Sequence, residues 1–320
     1  MSIRFGRREF LAGMVAMTAA DAAARFMPLP ESHSPFRVSV INDEISQDFD
    51  RACSVATREF GMGWMELRGM WKKNICSLDE KEVLEARRIL EKYQLKVTDI
   101  ASPLFKVDFP GAPKSKFSEA KSFGADFSWK QQDEVLDRAI EMAKAFRTDR
   151  VRCFDFWRLD DQAPYRAAIN DKLRDAAAKA EKKGIILVLE NESACNTATG
   201  AEAAKVLSAV QTPSFMLNWD PGNAAASGEI PYPDGYNLLP KDRIGHCHCK
   251  DAVKKGKKYD WAPMGGGLID WAGQFKALKS DGYHFAVSLE THWGGGGSPE
   301  ESSRKSWAGM KKLLEQVDAL

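Results

Sequence analysis

A pair of histidines marks the segment of the chain most suited to chemistry. His246 and His248 stand two apart in the run DRIGHCHCKD, which covers residues 242–251. Residues i and i+2 of a strand share one face, so both imidazoles point one way while Cys247 and Cys249 point the other. Such a strand can place an imidazole in a site if neighbouring strands supply its partners.

Three carboxylates end apolar runs with strand character. The run IILVLE ends in Glu190, FMLNWD ends in Asp220 and FAVSLE ends in Glu290. With His248 they give four candidate metal ligands at the ends of four successive predicted strands. A single carboxylate in this position is usually an N-cap or a loop residue, but its recurrence on neighbouring strands indicates a site. Three carboxylates and one imidazole favour Mn²⁺, with Mg²⁺, Co²⁺ or Zn²⁺ as alternatives.

Strand-like runs alternate with helical segments along the whole chain. Strands are predicted at residues 37–41, 64–67, 95–100, 150–154, 185–189, 214–219, 243–249 and 285–289. Helices are predicted at residues 49–60, 78–93, 131–146, 163–182, 200–210, 269–280 and 300–317. Only the connection before the seventh strand is irregular. This alternation predicts an α/β fold, a single-domain (β/α)8 TIM barrel whose chemistry lies where the strands end.

Two further features bear on this fold. A doubly wound open sheet is the alternative, but its phosphate-binding G-x-G-x-x-G after the first strand is missing. Residues 102–128 form a long segment rich in Gly, Pro, Lys and Phe. Long loops in compact domains are usually lids or binding loops, so this loop is predicted to cover the site.

The N-terminal segment has the composition of an export signal. The run GRREFLA at residues 6–12 resembles a twin-arginine signal, and a modest apolar run then leads to three alanines at residues 22–24, typical of a cleavage site. We predict that residues 1–30 are a signal peptide and linker, and that residues 31–320 form the barrel in the periplasm. A bilayer span needs roughly 20 apolar residues, so a permanent membrane anchor is not expected.

Composition excludes several other classes of protein. The net charge is +1, with 44% hydrophobic and 28% charged residues, which is typical of a soluble globular protein and not of a nucleic-acid binder. The lysines at residues 254–258 are predicted to form a solvated loop. The six cysteines are scattered, so free, buried thiols are expected rather than a disulfide framework or a zinc site.

Seven short motifs extend through the predicted barrel: ISQDFDRA, MELRGMW, LVLENE, NWDPGNA, GHCHCKD, GGGLIDW and VSLETHW. Together they resemble the sugar phosphate isomerase/epimerase superfamily with the xylose isomerase-like barrel. This group includes ketose 3-epimerases, inosose dehydratases and, more distantly, endonuclease IV. The resemblance covers roughly residues 37–320 and is specific for the superfamily rather than for one activity.

The resemblance implies roles for the residues that match. Carried over position by position, it makes Glu190, Asp220, His248 and Glu290 the metal ligands. In the epimerases the two glutamates that match Glu190 and Glu290 also lie on opposite sides of the substrate. The resemblance therefore implies that one of them removes a proton beside a carbonyl polarised by the metal, and that the other returns a proton to the opposite face.

Two departures from the family pattern limit what is carried over. Asn223 stands where epimerases and endonuclease IV have the histidine of Asp-x-x-His, and its amide can bind a hydroxyl but is a poor metal ligand. The run Asp260-Trp261-Ala262 also lacks the imidazole of endonuclease IV. A trinuclear zinc site and DNA cleavage are therefore not expected.

Further polar residues are predicted to contact a substrate: Glu66, Arg152, Asn223, Lys250 and His292. For Lys250, pairing with the adjacent Asp251 is an equal alternative. Glu66 either faces the pocket or forms a buried ion pair with Arg68. His246, one layer deeper than His248, is predicted to be a core residue.

These features predict an exported, metal-dependent isomerase or epimerase. It would abstract a proton next to the carbonyl of a free sugar, polyol or keto-sugar. The alternatives are a lyase or hydratase that acts on 3-keto-glycosides with the same metal and base, and a periplasmic sugar-binding barrel without catalysis. The expected partner is a small-molecule carbohydrate, and homo-oligomerisation stays open.

Overall fold

The computed structural model describes residues 34–118, 127–256 and 258–320. The predicted export signal therefore lies outside the described residues, and so does part of the predicted loop at residues 102–128. Within the described ranges, no helix is long and apolar enough to cross a membrane.

In the described part of the chain, eight parallel strands form one sheet: β1 (Arg37–Val40), β2 (Trp64–Leu67), β3 (Lys96–Leu104), β4 (Arg150–Cys153), β5 (Ile186–Glu190), β6 (Phe215–Trp219), β7 (Ile244–Cys249) and β8 (Ala286–Leu289). Their order is β1-β8-β7-β6-β5-β4-β3-β2. A parallel bridge between Ile41 and Glu66 brings β1 back to β2. The predicted (β/α)8 barrel is confirmed.

A helix follows each strand: α1 (Phe49–Ser54), α2 (Glu80–Tyr93), α3 (Gln132–Ala145), α4 (Arg166–Glu181), α5 (Gly200–Ala209), α6 (Pro221–Ala226), α7 (Trp271–Ser280) and α8 (Pro299–Gln316). Shorter helical segments are Asn42–Ile45, Val55–Glu59, Ile75–Ser77, Trp129–Gln131, Pro231–Gly235, Tyr236–Leu238 and Lys241–Arg243. Helix α2 shows how the sequence fixes such a boundary. The Asp79 side chain accepts from the Glu82 backbone while the Glu82 side chain accepts from the Asp79 backbone, which forms a capping box.

Three predicted segments differ from the structure. Strand β3 continues to Leu104, so the loop predicted from residue 102 begins later. Helix α6 lies in the connection that was predicted to be irregular. The predicted solvated lysine loop is an antiparallel hairpin, Asp251–Lys255 paired with Lys258–Ala262. Tyr and Trp in the second strand of the hairpin favour extended structure, whereas the neighbouring lysines are depleted in strands and led to the prediction of a loop. A second, smaller hairpin pairs Gly69–Met70 with Lys73–Asn74.

The barrel strands divide their side chains between two environments. On β7, Cys247 and Cys249 belong to the hydrophobic core, whereas His246 and His248, which alternate with them, contact polar side chains of other strands. Because successive residues point to opposite faces of a strand, the apolar set packs outward and the polar set fills the barrel interior. All six cysteines are buried and free, as predicted.

Helix α8 packs unusually close to the loop that precedes α7. A Cβ added at Gly309 would lie 1.8 Å from the carbonyl oxygen of Met264. No side chain fits this gap, so the glycine sets the distance between the helix and the loop.

We predict that Gly309→Ala destabilises the fold by about 1–3 kcal/mol, because the helix must move off the loop. Helix propensity alone predicts the opposite sign, a gain of about 1 kcal/mol for alanine over glycine. Urea unfolding measures the difference. The control is Gly294→Ala, where an added Cβ meets nothing within 4 Å. Equal or higher stability of Gly309→Ala would show that the contact is not limiting.

Candidate metal centre and catalytic pocket

Four of the predicted site residues converge at the carboxyl ends of β5 to β8. Nδ1 of His248 lies 3.4 Å from Glu190 Oε1, 3.7 Å from Asp220 Oδ2 and 3.3 Å from Glu290 Oε2. One ligand atom from each residue lies within 4.8 Å of all the others, and all four residues are buried. The structure therefore brings these four side chains together, one from each of the adjacent strands β5, β6, β7 and β8.

The geometry of this group fits a divalent metal ion. Among the described residues, Nδ1 of the fully buried His248 has no hydrogen-bond partner. Buried polar atoms normally have one. Metal–ligand bonds of about 2.1 Å place neighbouring ligand atoms roughly 3.0–3.4 Å apart, close to the measured separations. A nitrogen lone pair that faces three carboxylate oxygens suits an ion such as Mn²⁺, Mg²⁺, Co²⁺ or Zn²⁺.

Two arginines hold the two glutamates from the outer side. Arg152 donates from Nη1 to Glu190 Oε2 at 3.0 Å, and Arg68 donates from Nη1 to Glu290 Oε1 at 3.0 Å. Each glutamate thus has one oxygen on an arginine and the other at the candidate metal position. Arg152, predicted to contact substrate, also donates to the carbonyl oxygens of Ala101 and Ser102.

Both glutamates are ionised in these surroundings. Burial alone raises a carboxyl pKa, but for Glu190 the charges of His248 and Arg152 outweigh it and hold the pKa well below its usual range. Burial of Glu290 is likewise outweighed, mainly by Lys250, and its pKa is also held well below the ordinary value. Each can therefore bind a cation or accept a proton near neutral pH.

Asp220 has two roles that one carboxylate can combine. Its Oδ1 accepts from the backbone N–H of Asn223 at 2.8 Å and caps helix α6, while its Oδ2 faces His248. The cap and the candidate ligand are thus the same residue. Burial raises the pKa of Asp220 even with Lys250 beside it, and a nearby divalent ion would favour its ionised form.

Lys250 faces the candidate metal centre rather than Asp251. Its Nζ lies 2.6 Å from Glu290 Oε2 and 2.8 Å from Asp220 Oδ2, and the residue is 2% exposed. Gly222 leaves the space for its stem, since a Cβ there would lie 2.4 Å from Lys250 Cγ. The predicted alternative, a pair with Asp251, is wrong.

Asp251 instead fixes the loop that follows the hairpin. Its carboxylate accepts from the backbone N–H groups of Ala252, Gly265, Gly267 and Ile269. The hairpin and the glycine-rich loop are thereby joined at one point. Trp261 of the hairpin then lies over Lys250, with Nζ 4.9 Å from the ring centre.

Glu66 and Arg68 do not pair with each other. Glu66 is fully buried and its Oε1 lies 3.0 Å from Nε2 of His248, on the side away from the carboxylates. Arg68 contacts Asp43 at 2.9 Å and Glu44 at 2.6 Å, besides Glu290. The predicted ion pair is therefore wrong, and Glu66 lies behind His248, outside the pocket lining.

Asn223 lies buried beside the candidate ligands, whereas His292 lies at the rim of the pocket. The Asn223 amide donates to Asp220 Oδ2 at 3.0 Å and to Glu190 Oε1 at 3.2 Å. His292 is at the rim, with its side chain 37% exposed and Nδ1 3.6 Å from Glu290 Oε2. Its backbone has φ +44°, a strained value for a residue other than glycine.

A cavity of about 570 Å³ opens above this centre. Its volume lies within the range of small-molecule sites. Its charged lining consists of five carboxylates and three cations: Asp43, Glu44, Glu190, Glu192, Glu290, Arg68, Lys106 and Arg152. Trp293 and Ser298 contribute to the wall beyond His292.

Sequence reasoning missed several residues of the pocket lining. Glu192 stands two residues after Glu190 in LVLENE, and the spacing could have indicated it. Lys106 follows β3 in the long loop, where spacing carries no information. Its Nζ lies 3.4 Å from Glu192 Oε2 and 4.4 Å from the centre of the Phe154 ring.

The fold defines a TIM barrel of known type, and the four side chains at its mouth could hold a metal ion. The chain belongs to the family of xylose isomerase-like TIM barrels, because the family profile matches residues 55–313. A sequence comparison with curated proteins gives no match.

Solved structures of the same fold have low sequence identity to this chain. The probable 3-DHS dehydratase AsbF from Bacillus anthracis, involved in petrobactin synthesis, has a TM-score of 0.66 and 18% identity, over 87% of this chain and 98% of its own. The IOLI protein with a bound zinc atom has a TM-score of 0.66 and 16% identity, over 89% and 99%. A D-tagatose 3-epimerase-like protein has a TM-score of 0.64 and 16% identity, over 88% and 98%. At these identities the likeness establishes the fold alone.

Asp99, on β3, is a second unusual carboxyl in the barrel interior. It is fully buried, and the described residues offer neither of its oxygens a hydrogen bond. Burial and the charge of Glu66 raise the pKa of Asp99 to about 8. Near neutral pH the native protein therefore holds a proton here that the unfolded chain, with an ordinary pKa of 3.8, releases.

We predict that Asp99→Asn removes a pH dependence of stability. Between 3.8 and about 8 the native state binds more protons at this site than the unfolded state, so its contribution to stability falls as pH rises. The slope is up to about 1.4 kcal/mol per pH unit. Urea unfolding at acid and alkaline pH should show the variant gaining most at about pH 8. Glu85→Gln on the surface of α2 is the control, and an unchanged slope in Asp99→Asn would contradict the assignment.

Proposed function

We propose that this protein is a metal-dependent isomerase or epimerase of a free sugar, polyol or keto-sugar. The observation that carries the proposal is the pair of ionised glutamates, Glu190 and Glu290, each held by an arginine and each directed at the same imidazole nitrogen. The metal ligands are Glu190, Asp220, His248 and Glu290, with Mn²⁺ the favoured ion. A divalent ion bound there would polarise a carbonyl oxygen and stabilise the negative charge that develops on it.

The two glutamates are the proposed acid and base. They come from the outermost of four neighbouring strands, so a substrate over the centre lies between them. Each arginine-bound oxygen keeps a second lone pair, and one glutamate uses such a lone pair to remove a proton from the carbon beside the carbonyl. The other glutamate first takes up a proton from solvent and then delivers it to that carbon from the opposite face, while the first glutamate releases the abstracted proton to solvent.

Charge in the pocket supports a neutral substrate. Each cation in the described lining already pairs with a carboxylate: Arg68 with Glu290, Lys106 with Glu192 and Arg152 with Glu190. A phosphate would meet five carboxylates there, whereas the hydroxyls of a sugar can donate to them. His292 and Asn223 are proposed to bind such hydroxyls, from the rim and from beside the metal ligands respectively.

Elimination from a 3-keto-glycoside by a lyase or hydratase is the second candidate, because it begins with the same proton abstraction. Lys250 favours it, since its ammonium lies between Asp220 and Glu290 and could protonate the leaving glycosidic oxygen. Mass spectrometry of the products separates the two reactions, because elimination releases the aglycone and epimerisation conserves mass.

Export to the periplasm remains a proposal that rests on the sequence of residues 1–30. It agrees with an unphosphorylated substrate, since phosphorylated sugars are intracellular intermediates. Fractionation of cells that produce the whole chain, compared with a variant in which Arg7 and Arg8 are both replaced by lysine, tests it.

We predict that the protein with Mn²⁺ exchanges solvent deuterium into at least one member of a panel of keto-sugars and 3-keto-glycosides. The metal-free protein should not do so, because the charge that develops on the carbonyl oxygen would then lack its counter-ion. Glu290→Gln should lower exchange at least about 100-fold, the lower range for a positioned acid or base, while part of the metal stays bound. The surface variant Glu85→Gln is the control.

The outcomes separate the competing classes. Elemental analysis should give one metal ion per chain, and more than one would indicate a phosphodiesterase-type centre instead. Sugar binding without metal-dependent exchange in any substrate would identify a binding protein and overturn the proposed catalysis.

A further inference from the structure

Three polar residues behind His248 form a closed group, which we call the Glu66 cluster: Glu66 on β2, Asn218 on β6 and His246 on β7. All three are fully buried. Glu66 Oε1 lies 3.0 Å from Nε2 of His248, and Glu66 Oε2 lies 3.5 Å from Nε2 of His246. The Asn218 amide bridges the same two rings: its Nδ2 lies 3.0 Å from Nε2 of His248 and its Oδ1 lies 3.1 Å from Nδ1 of His246.

Burying such a group is unfavourable unless its hydrogen bonds are satisfied. A charged carboxylate and two imidazoles therefore require one consistent assignment of protons. Two assignments are open, because the Asn218 amide can present either its NH₂ group or its oxygen to a given histidine nitrogen. The contacts of Glu66 with the two histidines distinguish these assignments.

One assignment leads to two repulsions. If the Asn218 NH₂ group donates to Nε2 of His248, that nitrogen carries no hydrogen and its lone pair faces Glu66 Oε1. The Asn218 oxygen then accepts from Nδ1 of His246, so Nε2 of His246 also presents a lone pair to Glu66. Both glutamate oxygens would face lone pairs at 3.0 and 3.5 Å.

The other assignment, in which the Asn218 amide is turned over, removes both repulsions. Nε2–H of His248 donates to Glu66 Oε1, with the Asn218 oxygen as a second acceptor beside it. The Asn218 NH₂ group then donates to Nδ1 of His246, and Nε2–H of His246 points at Glu66 Oε2 across 3.5 Å, an electrostatic contact longer than a hydrogen bond. His246 is then a neutral imidazole.

This assignment has a consequence on the opposite side of the His248 ring. A metal ion bound at Nδ1 would take the place of a proton there and leave a neutral imidazole with its hydrogen on Nε2. Nδ1 is the nitrogen that faces Glu190, Asp220 and Glu290. A carboxylate that accepts from a ligand histidine fixes the ring and makes the ligand nitrogen more basic.

We propose that Glu66, Asn218 and His246 are positioning residues that hold the His248 tautomer able to bind metal and thereby set the metal affinity of the site. The inference rests on the proposed metal site, but it concerns residues that do not line the pocket and are not proposed to contact the substrate. His246 is therefore assigned a role beyond core packing, and Glu66 acts through His248.

Calorimetric titration with Mn²⁺ measures the predicted effect directly. Glu66→Gln keeps the size of the side chain but can accept from only one of the two N–H groups. We expect its metal affinity to fall about 10–100-fold, the usual cost of losing such a partner. Asn218→Asp keeps an acceptor for His248 but loses the donor to His246, and we expect a smaller loss.

Ser288→Ala is the matched control. Ser288 is fully buried on β8 in register with His248, and its hydroxyl has no partner among the described residues. It should leave metal affinity unchanged. Thermal unfolding of each variant without metal shows whether an affinity change follows from loss of structure.

Nitrogen NMR of histidine-labelled wild-type protein with Zn²⁺ reads the tautomers even if a variant does not fold. The hydrogen should be on Nε2 of both rings, with the metal on Nδ1 of His248. A hydrogen on Nδ1 of His246, or Glu66→Gln with wild-type affinity, would falsify the inference. Absence of any metal binding by the wild-type protein would instead overturn the proposed function, so the two failures are distinguishable.

Discussion

Mutual repulsion among buried carboxylates is the constraint on which the rest of this site depends. Glu190, Asp220 and Glu290 place oxygens around a single nitrogen in the mouth of the barrel. Like charges at such distances normally force one carboxyl to take up a proton. Here the glutamates stay ionised because cations lie beside them, His248 and Arg152 at Glu190 and mainly Lys250 at Glu290. The repulsion is thereby converted into a strong preference for a cation at the centre itself.

The arrangement is layered along the barrel. The pocket above holds the charged pairs that would meet a substrate, the middle layer holds the four candidate ligands, and the Glu66 cluster lies beneath His248. The Glu66 cluster contacts the middle layer through Nε2 of His248. A polar barrel interior of this kind is costly, because most barrel cores are filled by branched apolar side chains. Its retention here agrees with chemistry at the carboxyl ends of the strands.

The sequence predicted the fold and the four convergent side chains because both depend on local pattern. Strand period and strand ends place Glu190, Asp220, His248 and Glu290 without knowledge of the tertiary structure. Partners across the barrel are different, because alternation gives the face of a residue but not its depth. For this reason the sequence does not reveal that Lys250 contacts Asp220 and Glu290 rather than Asp251. In the same way it does not reveal that Glu66 contacts His248 rather than Arg68. Nothing in the sequence indicates that Lys106 lines the pocket, since it lies in a loop whose position depends only on tertiary packing.

The double role of Asp220 determines where this site can change. Helix α6 begins because Oδ1 of Asp220 accepts the backbone N–H of Asn223, and any residue except proline supplies that N–H. The side chain at position 223 therefore stands beside the candidate metal ligands on a frame that does not depend on its identity. Substitution of Asp220 would remove a candidate ligand and a helix cap together. Position 223 is thus the point at which evolution, or a designer, can exchange the functional group beside the candidate metal centre while the cap of α6 stays in place.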